Sequence, residues 1–245
     1  MNFNNKVALI TGASVGIGRA TAILMAQRGA KTILFDVNYD KLSSVKEEIV
    51  QYSSDVLIYK CDVSSENEVV SCVNDAIFKF GKIDILVNNA ALWRDSEPFE
   101  EISNEKWQTF FNINVFGTVY VTRAVIANMK ENKYGRIVNV ASVAGVFGNK
   151  NMSMYSATKG AVISLTKALA KEFSDYGILV NSISPGTVST STNPDYTFTT
   201  SNSASYLGRT GSGLENANLI CFLASDENGY ISGENVKIDG CRKIL

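Results

Sequence analysis

Residues 7–18 have the sequence VALITGASVGIG, an apolar run that leads directly into a glycine-rich turn. A helical pattern over 17–28 follows at once, so the turn lies between a strand and a helix. Gly12 permits a tight turn, Gly16 lets the backbone approach a phosphate closely, and Gly18 lets the helix pack on the sheet. The helix N-terminus then faces that phosphate. The stretch therefore predicts the first βα unit of a sheet that binds a dinucleotide.

The same alternation of short apolar runs and longer helical patterns continues along the chain. Strands are predicted at 6–10, 32–35, 56–59, 83–87, 136–140, 179–183 and 235–238, and helices at 17–28, 39–52, 66–80, 104–111, 115–131, 155–176 and 215–224. Strands that are apolar on both faces and separated by helices indicate a parallel sheet covered on both sides. The predicted fold is α/β: a single-domain Rossmann-type doubly wound parallel sheet of about seven strands, spanning residues 1–245.

The segment 187–205 is crowded with Ser, Thr and Asn and has no clear periodicity. A long connection of this kind inside a compact domain is often a binding loop, and this one leaves the carboxyl end of a strand. We expect a substrate lid at about 187–210. The alternative is a solvated loop without a function.

The composition is that of a globular protein, with 45% hydrophobic and 19% charged residues among 245. Net charge is -1, and no basic run suggests nucleic acid or an anionic membrane surface. No apolar stretch is expected to span a bilayer, and the first residues do not have the pattern of a signal peptide. The 4 cysteines are widely spaced and form no CxxC pair, which favours free thiols in a reducing cytoplasm.

The chain contains no histidine. This excludes nucleophile systems that depend on an imidazole and metal sites with histidine ligands, and we expect no metal. Tyr155 and Lys159 are four residues apart and share one face of a predicted helix. A nearby ammonium lowers a tyrosine pKa, so the pair is a candidate for proton exchange with an alcohol or a carbonyl. The plain alternative is a packed ring beside a lysine that extends toward water.

Two acidic residues follow the second and third strands. Asp36 lies where a carboxylate accepts hydrogen bonds from an adenosine ribose and repels a 2′-phosphate, which favours NAD(H) over NADP(H). Its alternative role is that of a cap at a strand end. Asp62 is placed to reach an adenine amino group, although an Asx turn is equally consistent with the sequence.

Further segments complete an ordered pattern. They are Asn88-Asn89-Ala90-Ala91, the Asn114 region, Ser142 after a strand, the pair Tyr155 and Lys159, Pro185-Gly186-Thr187-Val188-Ser189-Thr190, and Asp239-Gly240-Cys241. Together with the glycine loop, these segments resemble the short-chain dehydrogenase/reductase family in its compact branch, over essentially the whole chain. Ala91 and Cys241 stand where the family usually has glycine.

The resemblance implies roles for individual residues. Asn114, Ser142, Tyr155 and Lys159 correspond to the catalytic set. The implied cofactor contacts are Gly12, Ser14, Gly16, Ile17, Gly18, Asp36, Asp62, Val63, Asn89, Ala90, Tyr155, Lys159, Pro185, Gly186, Val188 and Thr190. Tyr155 would exchange the proton, Ser142 would hold the reacting oxygen, and Lys159 would lower the Tyr155 pKa and bind the nicotinamide ribose. Asn114 would hold a water that relays protons to Lys159, although a lone asparagine in a helical pattern is usually a surface residue.

The implied activity is interconversion of a secondary alcohol and a ketone with NAD(H), by a homotetramer or, failing that, a dimer. Substrate contacts are expected from Ser142, Tyr155, Trp93 and Phe147, within an apolar set that also includes Val146, Met152, Tyr196, Phe198 and Tyr206. This set suits a hydrophobic or alicyclic compound such as a hydroxysteroid, unless its members fill the core or an interface. Arg94 and Lys150 could instead meet an acidic group. The alternatives left open are a 3-oxoacyl thioester reductase and a non-catalytic NAD-binding regulatory protein.

Overall fold

The computed structural model describes residues 1–93, 95–189 and 197–243. The strands are β1 (Val7–Thr11), β2 (Lys31–Asp36), β3 (Val56–Lys60), β4 (Ile85–Asn88), β5 (Gly135–Val140), β6 (Ile178–Pro185), β7 (Val188–Ser189), β8 (Gly211–Ser212) and β9 (Asn235–Ile238). The α-helices are α1 (Gly16–Gln27), α2 (Tyr39–Ile49), α3 (Glu66–Phe80), α4 (Asn104–Phe111), α5 (Gly117–Glu131), α6 (Val143–Phe147), α7 (Ser153–Phe173) and α8 (Gly213–Ala224). Short 3-10 helices cover Phe99–Glu101 and Ser174–Tyr176, and a π-helix covers Asn112–Phe116.

The main sheet has seven parallel strands in the order β3-β2-β1-β4-β5-β6-β9. The chain leaves β1 toward β2 and β3, then returns to the other side of β1 to form β4. The strand order therefore reverses between β1 and β4, and ligands of such sheets bind outside the carboxyl ends of the strands at that point. The predicted fold class is confirmed, and the candidate residues lie at this edge.

Alternating side chains of each strand fill two separate cores. In β1, Ala8 and Ile10 face a core shared with α1, α2 and α8, whereas Val7 and Leu9 face a core shared with α3, α5 and α7. Because successive strand residues point to opposite faces, a strand covered by helices on both sides must be apolar throughout. This is why the predicted strands appear in the sequence as unbroken apolar runs.

A chain of polar side chains crosses the centre of the sheet. The Asn88 amide donates to Thr122 Oγ1 at 3.1 Å and to Asn139 Oδ1 at 2.9 Å. The Asn139 amide in turn donates to Thr166 Oγ1 at 2.9 Å. All of these side chains are buried, and hydrogen bonds compensate for their removal from water.

Most predicted elements occur close to their predicted positions, and α3, α4 and β9 begin and end where the sequence placed them. Several short elements were not predicted, and two of them adjoin candidate site residues. The helix α6 has five residues, too few to show a helical period. The π-helix Asn112–Phe116 lies between α4 and α5, so that α5 begins at Gly117 rather than at 115.

The segment proposed as a lid contains more local structure than its sequence suggested. The strands β7 and β8 pair in a small parallel sheet, and an antiparallel bridge joins Ser201 to Arg209. Its residues 204–207 also pair with residues 240–243 near the end of the chain. Thr190 and Tyr196 lie outside the described residues, and the function of the segment as a lid stays a prediction.

The continuous helical segment Asn104–Glu131 is long and apolar enough, by length and composition alone, to cross a membrane, which the sequence analysis did not expect. In the fold this segment covers one face of the sheet. Val121, Val125 and Met129 are buried in the core that it shares with α3 and α7. A core helix of a globular protein has the same length and composition, so this segment does not indicate a membrane span.

Candidate active site

The glycine loop between β1 and α1 depends on glycine for steric reasons. Gly12 and Gly16 have φ angles of 62° and 60°, in the left-handed region that disfavours other residues. A Cβ atom on Gly12 would lie 2.8 Å from Ala90 Cα, and one on Gly18 would overlap the Gly12 carbonyl oxygen. The loop therefore packs against the residues after β4 and leaves its backbone exposed toward the edge of the sheet.

Asn89 fixes this contact through hydrogen bonds. Its side-chain amide donates to the carbonyl oxygens of Thr11 and Gly12 at 3.0 and 2.9 Å. The Thr11 hydroxyl accepts from the backbone amides of Asn89 and Ala90, both at 3.0 Å. Asn89 and Thr11 thus act as a clamp that sets the shape of the glycine loop.

Asp36 lies at the end of β2 and is tied to the same loop. Its carboxylate accepts from the Ser14 amide at 3.0 Å and from the Asn38 amide at 2.9 Å. Each carboxylate oxygen has more than one acceptor position, so these bonds leave capacity for ribose hydroxyls. Asp62 forms the Asx turn that the sequence left open, because its Oδ1 accepts from the Ser64 amide at 2.9 Å.

A cavity of about 740 Å³ runs along the carboxyl edge of the sheet. We call the part formed by residues after β1, β2 and β3 the nucleotide half; its lining includes Gly12, Ser14, Val15, Gly16, Ile17, Asp36, Val37, Cys61, Asp62 and Val63. We call the part formed by residues after β4, β5, β6 and β9 the substrate half; its lining includes Asn89, Ala90, Ala91, Leu92, Trp93, Val140, Ser142, Val143, Asn149, Met152, Tyr155, Lys159, Pro185, Gly186, Val188 and Arg242.

Tyr155 and Lys159 project from the first turns of α7 into the substrate half. Lys159 is only 3% exposed, and its ammonium donates to the Val140 carbonyl at 2.7 Å. Burial lowers the pKa of Lys159 to about 8. The lysine Nζ lies 5.8 Å from the centre of the Tyr155 ring. The two side chains are therefore neighbours, as the helical spacing predicted.

The pKa of Tyr155 does not behave as the sequence analysis expected. Burial raises this pKa, and a hydrogen bond with Ser142 partly counteracts the increase. The Ser142 hydrogen bond is the contribution that favours the phenolate in this arrangement. Lowering of the Tyr155 pKa by Lys159, whose Nζ lies 5.8 Å from the ring centre, stays a prediction.

Ser142 reaches Tyr155 because α6 packs very closely on α7. Ser142 caps α6, and its hydroxyl accepts from the Ala144 amide at 3.1 Å. A Cβ atom on Gly145 would lie 2.5 Å from the backbone carbon of Lys159, so only glycine allows this approach. Gly145 is a positioning residue that the sequence analysis missed. The sequence feature that could have indicated this role is a single glycine between two apolar residues shortly after Ser142.

Asn114 lies in the π-helix and is 1% exposed, so it is not the surface residue that a lone asparagine in a helix usually is. Its amide accepts from the Leu92 amide at 2.8 Å and donates to the Leu92 carbonyl and to Thr158 Oγ1, both at 3.0 Å. The Thr158 hydroxyl donates to the Tyr155 carbonyl at 2.8 Å. Asn114 thus joins the segment after β4 to the helix that carries Tyr155.

The residues after β6 form the next part of the wall. The Gly186 amide donates to the Ile238 carbonyl at 3.0 Å, and a Cβ atom on Gly186 would lie 2.9 Å from Asp239 Cα. Pro185 and Val188 also line the cavity, whereas Thr190 lies outside the described residues. Three of the four positions predicted here are thus at the cavity.

Some of the residues that were predicted to contact the substrate line the cavity, and others do not. Trp93 and Met152 line the cavity. Phe147 does not: its ring is exposed and lies 5.1 Å from Lys237 Nζ, because α6 turns this side outward. Phe198 and Tyr206 are also exposed and away from the lining.

Neither of the two cationic residues that were predicted to meet an acidic group is among the described residues that line the cavity. Lys150 is exposed and does not line the cavity, and Arg94 lies outside the described residues. Besides Lys159, the cation that lines the substrate half is Arg242, whose Nη2 donates to Asn149 Oδ1 at 2.9 Å. No local pattern connects positions so far apart in sequence, so the sequence analysis missed this pair.

No group of histidine, cysteine, aspartate and glutamate side chains that could hold a metal ion occurs in the described part of the chain. The glycine loop at a helix N-terminus, the carboxylate of Asp36 and the Tyr155, Lys159 and Ser142 cluster share one cavity. This combination of fold and site defines a dinucleotide-dependent oxidoreductase.

Comparison with known proteins agrees with this class. The sequence profile described as short chain dehydrogenase matches residues 6–199. A 3-oxoacyl-(acyl-carrier-protein) reductase of Thermotoga maritima is 39% identical over 243 residues, covering 98% of each chain. The chain therefore belongs to the short-chain dehydrogenase family, as the resemblance predicted.

Other relatives act on different substrates. A cyclohexanol dehydrogenase of an Acinetobacter species is 34% identical, over 97% of this chain and 95% of the relative. The crystal structure of an NAD+-bound xylitol dehydrogenase superposes with a TM-score of 0.91 at 33% identity, covering 98% of this chain and 100% of that one. Another similar structure holds NADP, so family membership alone does not select the cofactor.

Proposed function

We propose that this protein is an NAD(H)-dependent oxidoreductase that interconverts a secondary alcohol and a ketone, with Tyr155 as the general acid and base. The observation that carries the proposal is the position of Tyr155, Ser142 and Lys159 on one wall of the cavity that also contains the glycine loop and Asp36. An acid–base group and a dinucleotide cradle in one cavity are the two requirements of hydride transfer to a carbonyl.

The residues of the nucleotide half fit NAD(H). The backbone of the glycine loop, held by Asn89, would bind the pyrophosphate at the N-terminus of α1. Asp36 would accept hydrogen bonds from the adenosine ribose, and its negative charge disfavours a 2′-phosphate. The neighbouring lining residues Val15, Val37 and Asp62 supply no cation to hold such a phosphate. These features support a preference for NAD(H) over NADP(H).

When bound, the nicotinamide supplies or accepts the hydride. For reduction, Tyr155 donates its proton to the oxygen of the developing alkoxide. The raised pKa keeps the phenol protonated near neutral pH, as this role requires. Ser142 donates a hydrogen bond to the same oxygen and stabilises its charge. For oxidation, Tyr155 removes the hydroxyl proton, and the Ser142 hydrogen bond that lowers its pKa assists this direction.

Lys159 would bind the nicotinamide ribose and pass protons to Tyr155. Its pKa of about 8 is compatible with proton exchange near neutral pH. The Asn114 side chain already makes hydrogen bonds to Leu92 and Thr158. A relay water would therefore bind at the backbone of the π-helix, where a widened turn is often functional.

The apolar part of the substrate half supports a hydrophobic or alicyclic hydroxy or keto compound, such as a hydroxysteroid. Leu92, Trp93, Val143 and Met152 form this part of the lining. A 3-oxoacyl thioester reductase is the second candidate, because the Thermotoga maritima relative has that activity by name. A regulatory protein without catalysis is disfavoured, since Asn114, Ser142, Tyr155 and Lys159 are all present.

The test is a panel of alicyclic ketones, steroid ketones and 3-oxoacyl thioesters, each incubated with NADH and with NADPH and followed at the nicotinamide absorbance. Turnover of at least one class, with NADH preferred, is the expected result. NADH binding without turnover of any class would favour the regulatory alternative. Turnover with NADPH alone would mean that Asp36 does not select the cofactor.

We also propose a cytoplasmic homotetramer, with a dimer as the next possibility. Phe116 and Tyr120 stack on each other near the start of α5, and the Phe116 ring is 45% exposed. Such a ring pair suits a contact with a second copy of the chain. The described cysteines are all free, as expected for a reducing compartment. Sedimentation equilibrium of the full chain measures the number of subunits.

A further inference from the structure

We propose that Arg242 recognises an anionic group on the substrate, so that the preferred ketone or alcohol carries a carboxylate or a phosphate. The proposal deepens the function proposed above and rests on it. Arg242 lines the substrate half of the same cavity as Ser142 and Tyr155. An acidic group bound there would be held while the carbonyl or hydroxyl lies at Tyr155.

The position of Arg242 is fixed from both sides. Its backbone forms an antiparallel bridge with Ser205, and the neighbouring Lys243 amide donates to the Ala204 carbonyl at 2.9 Å. Its guanidinium donates to Asn149 Oδ1 at 2.9 Å. The backbone amide of Asn149 in turn donates to Ser156 Oγ at 3.2 Å, next to Tyr155 on α7. A hydrogen-bonded path thus joins the guanidinium to the catalytic helix.

The charges of the cavity are separated between its two halves. The charged lining residues Asp36 and Asp62 belong to the nucleotide half, whereas Lys159 and Arg242 belong to the substrate half. Lys159 is bound to the Val140 carbonyl. Within the ranges 1–93, 95–189 and 197–243, no carboxylate forms an ion pair with Arg242.

A guanidinium with a neutral partner keeps its full charge and further N–H donors for a ligand. Its planar fork matches the geometry of a carboxylate or a phosphate, which two parallel hydrogen bonds can hold. Asn149 is a neutral amide, so it orients the guanidinium without cancelling the charge. The arrangement therefore favours an anionic substrate over a neutral one of the same shape.

The experiment measures binding rather than turnover. Full-length protein with saturating NAD+ is titrated by calorimetry with cyclohexanecarboxylate, cyclohexyl phosphate and the neutral cyclohexanecarboxamide, none of which can accept a hydride at a ketone. We expect at least one anion to bind about tenfold more tightly than the carboxamide, as expected for a charge-assisted hydrogen bond. The two anions distinguish a carboxylate site from a phosphate site.

Three variants locate the effect. Arg242→Gln should bring the anions and the carboxamide to equal affinity. Asn149→Asp should do the same with the arginine intact, because the new carboxylate would neutralise it. Lys243→Gln, an equal loss of charge at the adjacent exposed position, should keep the preference. Thermal unfolding and NAD+ affinity of each variant show whether the fold is retained.

The proposal is overturned if the wild-type protein binds neither anion, or binds them no better than the carboxamide. It is also overturned if Arg242→Gln keeps the preference or if Lys243→Gln loses it equally. Failure of the proposed function would look different. In that case no ketone or alcohol would be turned over, while the calorimetric preference would still follow Arg242.

Discussion

The two halves of the cavity are built by different means. In the nucleotide half, positive φ angles at Gly12 and Gly16 fix the backbone within a short stretch of chain, and Asn89 clamps that backbone from the segment after β4. In the substrate half, side chains from α6, α7 and the C-terminal segment meet across long sequence separations. In the proposed function, the first half binds the nucleotide, and its shape follows from backbone sterics. The second half would hold the chemistry and the specificity, and its shape depends on individual side chains.

The largest expected effect separates chemistry from nucleotide binding. Tyr155→Phe removes the proton donor of the substrate half, and kcat should fall by about 10² to 10⁴. The affinity for NADH, measured by fluorescence titration, should stay close to that of the wild type. Tyr176→Phe, just beyond α7 and exposed, is the matched control and should leave both quantities unchanged. Full activity of the Tyr155 variant would contradict the assigned role.

The buried lysine of the substrate half makes stability depend on pH. Burial lowers the Lys159 pKa from 10.5 to about 8 in the folded chain. Between these values the unfolded chain holds a proton that the folded chain lacks, so this group makes stability rise with pH. Below a pH of about 8, Lys159 is protonated in both the folded and the unfolded chain. Burial of the charged amine then destabilises the folded chain by the full amount, roughly 3 kcal/mol.

Lys159→Met removes that cost. Relative to that of the wild type, its free energy of unfolding should therefore be larger, meaning greater stability, at pH 7 than at pH 10, by an amount on the order of 2 kcal/mol. Urea denaturation at both pH values measures the difference. Lys171→Met, an exposed position on the same helix, should show no such pH dependence. If the difference in free energy of unfolding between the Lys159 variant and the wild type did not change with pH, the amine would have the same protonation in the folded and the unfolded chain.

Asp36→Ala tests the nucleotide half alone. The loss of carboxylate contacts with the ribose should weaken kcat/KM for NADH about ten- to hundredfold, with a smaller loss for NADPH. The ratio of the two values is the measurement. Asp40→Ala, exposed in α2, serves as the control. An unchanged ratio would show that another residue selects the cofactor.

The smallest effect concerns the segment that carries Arg242. Cys241 has a φ of 56°, a left-handed conformation that costs a non-glycine residue energy. Cys241→Gly should relieve this strain, partly offset by the greater entropy of the unfolded chain, for a net gain of about 0.5 to 1 kcal/mol. Cys241→Ala keeps the Cβ and should give no gain in urea denaturation. If Cys241→Gly and Cys241→Ala stabilised the chain equally, the cause would be removal of the thiol rather than relief of backbone strain.

The contrast between the halves also explains how much the sequence could predict. The glycine positions and Asp36 were predictable because strand, turn and helix are local patterns, and each glycine has a steric reason. The spacing of Tyr155 and Lys159 correctly predicted neighbours on one helix face. It could not predict that the ammonium binds the Val140 carbonyl, since β5 contributes that partner.

The features that could not be predicted from the sequence lie mainly in the substrate half. The helix α6 is too short to have a period, and so its outward turn at Phe147 could not be foreseen. Arg242 and Asn149 meet only because residues 240–243 pair with residues 204–207. A single sequence has no signal for such a tertiary contact.

The polar chain at the centre of the sheet has a consequence for how accurately the sheet assembles. Asn88 and Asn139 are direct partners in the pairing of β4 with β5. A slip by one residue would move each amide to the other face and leave it unpaired among apolar side chains, at a cost of several kcal/mol. It would also displace Ser142 relative to Asn89 by about 3.3 Å along the strand. These two asparagines therefore select the correct register, and with it the alignment of the chemistry with the nucleotide.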